Sequence, residues 1–198
     1  MTPRDNPIWE RSGILLSDAA IERLANAHLL LAGLGGVGSF AAEALARAGI
    51  GALTIADHDR VAPSNLNRQL CALHSTVDQK KADVMAARIR DINPACRLTV
   101  VDHFLDPDEL PSLVQEGSDG RGFDQVVDAI DSLSSKVALI VAALDAGVPV
   151  AASMGAGGKL DPTRIRVGDL MDSDGCPLAR EVRRRLRRQG HERGVLAV

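Results

Sequence analysis

The 198-residue sequence contains no tyrosine, and its aromatic complement is Trp9, Phe40, Phe104 and Phe123. That scarcity argues against a surface that reads nucleic acid by stacking bases on aromatic rings. Cysteine is also sparse: Cys71, Cys96 and Cys176 stand far apart, are odd in number and form no CxxC pair. Neither a zinc site nor a disulfide framework is supported by such spacing. No apolar run approaches the roughly 20 residues of a membrane span, and Met1-Thr2-Pro3-Arg4-Asp5 lacks the apolar stretch of a signal peptide. The expected setting is a reducing cytoplasm, with no membrane partner.

Apolar residues supply 45% of the chain and charged residues 25%, the balance of a soluble globular protein. The length suits a single domain, 1–198. With so few aromatics the core must be built from Ala, Val, Leu and Ile, the usual filling of a parallel sheet covered by helices. The periodicities agree. A helix is predicted over 17–27 with Ser17 or Asp18 as cap, then a buried strand over 28–32 that runs into glycines. Further predicted elements are a helix over 39–48, a strand over 52–56 and a helix over 78–92 ended by Asn93-Pro94. Strands over 98–101, 125–130 and 148–152 follow, with a helix over 134–146 between the last two, a loop over 115–122 and a basic helix near 177–189. Alternation at these intervals implies an α/β fold: a doubly wound, mostly parallel, Rossmann-like sheet with helices on both faces.

Between the first strand and its helix lies Gly33-x-Gly35-x-x-Gly38. Such glycines allow a tight turn and let backbone N–H groups approach a phosphate at the positive end of the helix. Asp57, nineteen residues beyond Gly38, stands at the end of the next strand, where a carboxylate accepts ribose hydroxyls. Taken alone, this pattern suits NAD or FAD, or a glycine turn serving plain packing. The sequel favours a triphosphate: Asp59, then Ser64-Asn65-Leu66-Asn67-Arg68-Gln69, then Lys81. A triphosphate needs more cationic neutralisation than a diphosphate does. Arg68 and Lys81 supply cations, and Asp131, at a strand end, is placed to hold Mg2+. Lys81 and Asp131 are expected at the sheet edge, contributing little to the core.

These residues together, with Gly36 in the loop and Asp128-x-x-Asp131 later on, resemble the ATP-adenylating ThiF/MoeB/HesA superfamily, relatives of the ubiquitin-activating enzymes. The resemblance implies ATP as cosubstrate, with Asp57 on the ribose, Asn65, Arg68 and Lys81 facing the phosphates, and Mg2+ on Asp131. Arg11, in Glu10-Arg11-Ser12, resembles the N-terminal arginine that in this superfamily reaches a partner subunit's ATP, although Ile14 stands where a second arginine is often found. A homodimer is therefore implied. A chain ending near the start of a strand, at Gly194-Val195, would also leave an open sheet edge to be covered.

Within the superfamily, activators of sulfur-carrier proteins usually carry two CxxC pairs, absent here through Val198, and ubiquitin-type enzymes need a nucleophilic cysteine. Cys176 precedes Pro177 and a helix start, which could lower a thiol's pKa, and a helix cap or a simple surface cysteine suits it better than a nucleophile; Cys71 and Cys96 read as packing residues near helix ends. Arg88-Ile89-Arg90-Asp91-Ile92-Asn93-Pro94, Gly155-Ala156-Gly157-Gly158, Leu160-Asp161-Pro162-Thr163 and Pro177-Leu178-Ala179-Arg180 resemble a third branch. That branch closes the threonylcarbamoyl side chain of tRNA adenosine into a ring by adenylating its carboxylate. The resemblance extends to a cysteine desulfurase/sulfur-acceptor system as a further partner.

The formal charge of −3 conceals one basic cluster: Arg180, Arg183, Arg184, Arg185, Arg187 and Arg188, without which the remainder would carry −9. Leu178, Val182 and Leu186 form an apolar stripe that would dock this helix. Six arginines with Glu181 as the one acid favour a polyanion over a merely solvated face. Arg183, Arg184, Arg187 and Arg188 are the candidate contacts to tRNA phosphates, which require no aromatics.

Overall fold

The apolar runs bounded by glycine become strands with the limits that the sequence predicts: β1 is His28–Ala32 and β2 is Ala52–Ala56. Every residue of both is buried, as expected of strands covered on both faces. The computed structural model describes residues 6–117 and 120–198, and the chain divides into two compact units, Met1–Phe104 and Leu105–Val198.

In the first unit β1 pairs in parallel with β2, from His28 opposite Ala52 to Ala32 opposite Ala56. β2 in turn pairs in parallel with β3, Arg97–Val101. Helix α1 (Asp18–Asn26) is capped by Ser17, whose hydroxyl accepts the Ala20 N–H at 3.3 Å. Helices α2 (Gly38–Arg47) and α3 (Lys81–Ile92) are joined through Glu43, which accepts from Arg88 and from Arg47. The two guanidiniums, Arg88 foremost, hold the Glu43 carboxyl below its ordinary range. Helix α3 begins at Lys81 and not at Asp78. Asp78 adopts a left-handed φ of 68°, its N–H bonds to Val61 O at 2.9 Å, and Lys80 pairs with Arg60 in an isolated bridge. The backbone thus turns at Asp78 and is extended at Lys80, so the helix starts only at Lys81, whatever the apolar spacing upstream.

Two glycines are fixed by close approach. Gly49, at φ 79°, lies against the buried Trp9 indole, where a Cβ would stand 2.2 Å from Nε1; that nitrogen donates to Ala48 O at 3.0 Å. At Gly51 a Cβ would fall 1.7 Å from the Ala25 carbonyl oxygen.

The second unit contains β4 (Gln125–Asp128), β5 (Val150–Ala152), β6 (Gly168–Asp169) and β7 (Val195–Ala197), in the order β4-β5-β7-β6. The first three of that order run parallel and β6 is antiparallel to β7. Strand β4 stops at Asp128, short of the predicted Ile130, because the Asp128 carboxylate accepts the Ile130 N–H at 3.0 Å and turns the chain. Strand β7 lies between β5 and β6, so the expectation of an open edge there is corrected: β6 occupies that side.

The helices of this unit are α4 (Leu110–Glu116), α5 (Leu133–Asp145) and α6 (Pro177–Arg188). Helix α4 was not predicted, and it takes Gln115 and Glu116 from the expected loop before Gly117, at φ 65°, ends it. Ser118 and Asp119 of that loop lie outside the described residues. Helix α6 forms where expected, and Val182 and Leu186 of the expected stripe are fully buried, but Leu178 is half-buried and Ala179 takes its place in the docked face. Among the described residues, no helix is long and apolar enough to cross a membrane.

Gly51→Ala should destabilise the protein by about 1–3 kcal/mol, because its new Cβ meets backbone that cannot yield. Gly157→Ala, with nothing within 4 Å of the added carbon, should leave the urea midpoint unchanged within about 0.5 kcal/mol.

Candidate functional site

Gly33 turns the chain out of β1 with φ 89° and donates its N–H to Ala56 O at 2.8 Å. Gly35 and Gly36 differ from it. Neither has positive φ, and a Cβ would meet Gln69 Nε2 at 3.6 Å from Gly35 and Arg68 Cγ at 3.6 Å from Gly36, ordinary contacts. The fold itself would therefore tolerate side chains at both positions. What glycine keeps there is a bare backbone at the N-terminus of α2, where N–H groups and the positive dipole end suit an anion. The packing explanation of the motif accounts for Gly33 but not for Gly35 and Gly36. Gly38, buried, opens α2.

Asp57 fastens this loop. One carboxylate oxygen accepts the Leu34 N–H at 2.6 Å and the other the Asp59 N–H at 2.8 Å. Each oxygen keeps a further lone pair, so the half-buried carboxylate can still accept from a sugar hydroxyl. Ser39 supplies a second tie: its hydroxyl donates to Gly35 O at 2.6 Å and accepts the Leu70 N–H at 3.1 Å. That bond draws the Asn65–Leu70 segment to the glycine turn. Ser39 was not singled out in the sequence, although its place just after Gly38 was the available signal.

Lys81 is the first residue of α3, with a side chain 7% exposed and its ammonium 2.8 Å from the Asp59 carboxylate. The expectation that it contributes little to the core is thus corrected. A cation at a helix N-terminus opposes the dipole, and Asp59, about half exposed, compensates it. Arg68 is exposed and donates to Ser64 O at 3.0 Å and Asn67 Oδ1 at 2.9 Å. Asn65 is buried, its carbonyl accepting the Ala62 N–H at 3.0 Å, and Gln69 is buried beside Gly35. Asp57, His58 and Asp59 place donor atoms within 4.8 Å of one another, but Asp59 is already engaged by Lys81 and Asp57 by two N–H groups. Arg11 is exposed, on the turn that leads into Ser12–Ile14.

In the second unit Asp131 is exposed in the turn between β4 and α5. A pair absent from the sequence reading lies beside it. The Lys136 ammonium and the Asp128 carboxylate are 2.6 Å apart, both completely buried, and Lys136 also donates to Ser153 O at 3.0 Å. Burial pushes the Asp128 carboxyl up, against the opposing pull of Lys136 and of the Ile130 N–H. One oxygen of Asp128 thereby holds Lys136 while the other fixes the turn that carries Asp131.

The arginines of α6 divide between two faces. Arg184, Arg185 and Arg188 border a cleft against α5, and Arg185 donates to Ser134 Oγ at 3.2 Å. Arg180 and Arg183 border a smaller hollow beside Cys176, where Arg183 donates to Ser173 Oγ at 2.6 Å. The four candidate tRNA contacts therefore do not share one surface, and Arg185, omitted from them, faces the cleft. Cys176 caps α6 as expected, its sulfur accepting the Ala179 and Gly155 N–H groups at 3.4 Å. Burial alone would raise this thiol, but the N–H bonds outweigh it and set the Cys176 pKa below the ordinary value. Cys71 and Cys96 are pushed up by burial.

A family model described as the ThiF family matches residues 10–198. The chain is 47% identical, over 173 residues, to the tRNA threonylcarbamoyladenosine dehydratase of Escherichia coli (strain K12), covering 87% of this chain and 63% of that relative. It is 40% identical over 190 residues to the protein of the same name from Bacillus subtilis (strain 168), covering 96% and 73%. A crystal structure of the E. coli dehydratase, TcdA, in complex with ATP matches 98% of this chain and 80% of its own, with a TM-score of 0.88 and 42% identity. The chain thus spans about two thirds of the length of these two curated relatives.

Lys136→Met should cost about 3–5 kcal/mol in chemical denaturation by stranding a buried carboxylate, and adding Asp128→Leu should recover most of that loss. Iodoacetamide should label native Cys176 at lower pH than the half-buried Cys96, whereas the buried Cys71 labels only after unfolding. Mass spectrometry of peptides alkylated across pH 6–10 checks both parts.

Proposed function

The chain belongs to the ThiF family, and from that membership we propose that it adenylates the carboxylate of threonylcarbamoyladenosine in tRNA, at the expense of ATP, to drive a cyclising dehydration. The observation that carries this reading is the pairing of a bare backbone cradle at Gly35–Gly36 with Lys81, a cation kept buried at a helix N-terminus against the dipole. A nucleotide diphosphate would be served by the cradle alone; Lys81 and Arg68 suit the greater charge of a triphosphate. The dehydratase names of the relatives at 47% and 40% identity select the substrate.

The chemistry runs in two steps. An oxygen of the substrate carboxylate attacks the α-phosphorus of ATP, and the bond to pyrophosphate breaks. A nucleophile within the same side chain then attacks the acyl carbon of the mixed anhydride and expels AMP, so the oxygen lost from the carboxylate leaves on AMP. A carboxylate is a poor electrophile and its anhydride with AMP a good one, which is what the ATP accomplishes. Arg68 and Lys81 offset charge as it develops on the phosphates, Asn65 directs its amide N–H groups towards them, and Asp57 accepts from the ribose. Asp131, a lone exposed carboxylate on a braced turn, fits a Mg2+ ligand; the ion would supply further neutralisation of the diphosphate leaving group. No protein nucleophile is needed, which suits two thiols pushed up by burial and a third engaged as a helix cap.

We place the active chain, 1–198 acting as one adenylating domain, in the cytoplasm as a homodimer in which Arg11 reaches the partner's nucleotide. The arginines of α6, Arg183, Arg184, Arg187 and Arg188 among them, draw in tRNA.

Exchange of labelled pyrophosphate into ATP should require threonylcarbamoylated tRNA; exchange that requires a small carrier protein instead would overturn the assignment. Lys81→Ala and Asp131→Ala should each lower that exchange by on the order of a hundredfold or more. Asp131→Ala, at an exposed position, should change stability by no more than about 0.5 kcal/mol, whereas Lys81→Ala, which removes a buried side chain, should cost about 1–3 kcal/mol and is assayed for exchange where it remains folded.

A further inference from the structure

The valley along the outer face of α5 has arginines on one bank only. Helix α6 contributes Arg184, Arg185 and Arg188 to that bank, while Arg180 and Arg183 border the separate hollow beside Cys176. The floor is saturated and shallow, made by Ala138 and Val141 of α5, with Pro111 of α4 on the far bank. The open valley has a volume of about 560 Å3, within the range of small-ligand clefts. Two carboxamides, Gln115 and Gln189, face it from opposite banks, and Asp145, which pairs with His191 at 3.2 Å, closes one end.

Helix stability does not explain the arginines. The dipole favours cations in the last turn, which accounts for Arg185, Arg187 and Arg188. Yet Arg184 and Arg188 are spaced i,i+4 and Arg185 and Arg188 i,i+3, each pair repelling on the helix surface, with Glu181 bonded to Arg184 as the local relief. A repulsive bank beside an apolar floor is stabilised by an occupant that brings negative charge and a flat apolar body together.

We propose that this valley binds one unstacked nucleotide of a single-stranded RNA segment. The backbone phosphates lie on Arg184 and Arg188, and the base lies over Ala138 and Val141, covered by the Arg185 guanidinium. Arginine forks bind phosphate oxygens bidentately, and guanidinium planes stack on bases where aromatics are lacking. Carboxamides carry a donor and an acceptor each, so Gln115 and Gln189 can read a base edge; an acidic peptide would have use for the arginines but little for these amides. The proposal rests on the tRNA reading for the kind of polyanion, and it assigns a place and a bound form that the reading does not contain.

The test uses the full chain with a five-residue oligouridylate and with tRNA, by fluorescence anisotropy over a salt series. A triple variant, Arg184→Gln, Arg185→Gln and Arg188→Gln, should flatten the log–log salt slope for the oligonucleotide by about 1.4, near 0.7 for each of the two lost phosphate contacts. The triple Arg180→Gln, Arg183→Gln and Arg187→Gln should weaken long-range attraction of tRNA yet keep the oligonucleotide affinity. Ala138→Glu, which adds a carboxylate to the floor without removing an arginine, should weaken the oligonucleotide about tenfold or more, with ATP binding as the folding control. Equal losses from the two triples, or no loss from the valley triple, would overturn the proposal. So would a parent protein whose valley arginines bind polyglutamate but not the oligonucleotide. Pyrophosphate exchange with modified tRNA that persists alongside such a result leaves the adenylation reading standing. A parent that binds the oligonucleotide through the valley but shows no exchange leaves the valley standing and removes that reading.

Discussion

The first unit is organised around a single carboxylate. Asp57 sits at the end of β2, and by accepting the Leu34 N–H it pins the glycine loop that leaves the neighbouring strand β1. Through its other oxygen it holds the backbone of Asp59, whose own carboxylate receives the Lys81 ammonium. A cation that would otherwise be stranded at the head of α3 is thereby neutralised by a chain of two acids that begins on the sheet. The glycine loop, the Asp57 carboxylate and the Lys81 ammonium are set relative to one another by three hydrogen bonds of 2.6–2.8 Å. Charge-assisted bonds of this kind are stronger than neutral ones, so the geometry is fixed before any ligand arrives.

The sequence made this site readable where chemistry and punctuation coincide. Strands β1 and β2 were read to the residue because each is an apolar run closed by glycine or acid. Gly33, Gly35 and Asp57 were recognised through spacing alone. Spacing failed where a side chain redirected the backbone. Asp78, in left-handed conformation, delays α3 to Lys81, and Asp128 ends β4 early by bonding two residues ahead. Neither effect leaves a trace in hydrophobic periodicity. Helix α4 was missed because it is short, begins beside Pro111 and ends at Gly117, so that its two buried residues, Leu110 and Val114, make too brief a pattern. Lys136 did leave a trace, a lone cation among Val137, Leu139 and Ile140, but its partner eight residues earlier had been assigned to the strand.

Burial also redistributed roles that composition could only count. Six arginines in nine residues read as one basic patch, yet Arg184, Arg185 and Arg188 border the valley while Arg180 and Arg183 border a separate hollow with different neighbours. The three cysteines divide as well, along the line between packing residues and a residue before a helix start that their sequence neighbours draw. Two are held protonated by burial, and the third is drawn towards the thiolate by the N–H groups it caps, a distinction that depends on which end of a helix a sulfur meets.

The strand order of the second unit has a kinetic consequence. Strand β6 comprises Gly168 and Asp169, and its sheet neighbour is β7, which follows it in the chain by the whole length of α6. The exposed strap over 156–168 therefore gains its sheet anchorage at the far end only once Val195–Ala197 has docked against β5. A two-residue strand cannot wait in place by itself, so the strap, α6 and β7 must close as one cooperative step whose loop-closure entropy is met late. In the native state the same linkage runs backwards: an excursion of β7 away from β5 would also remove the sheet partner of β6, so amide protons in both segments should exchange together.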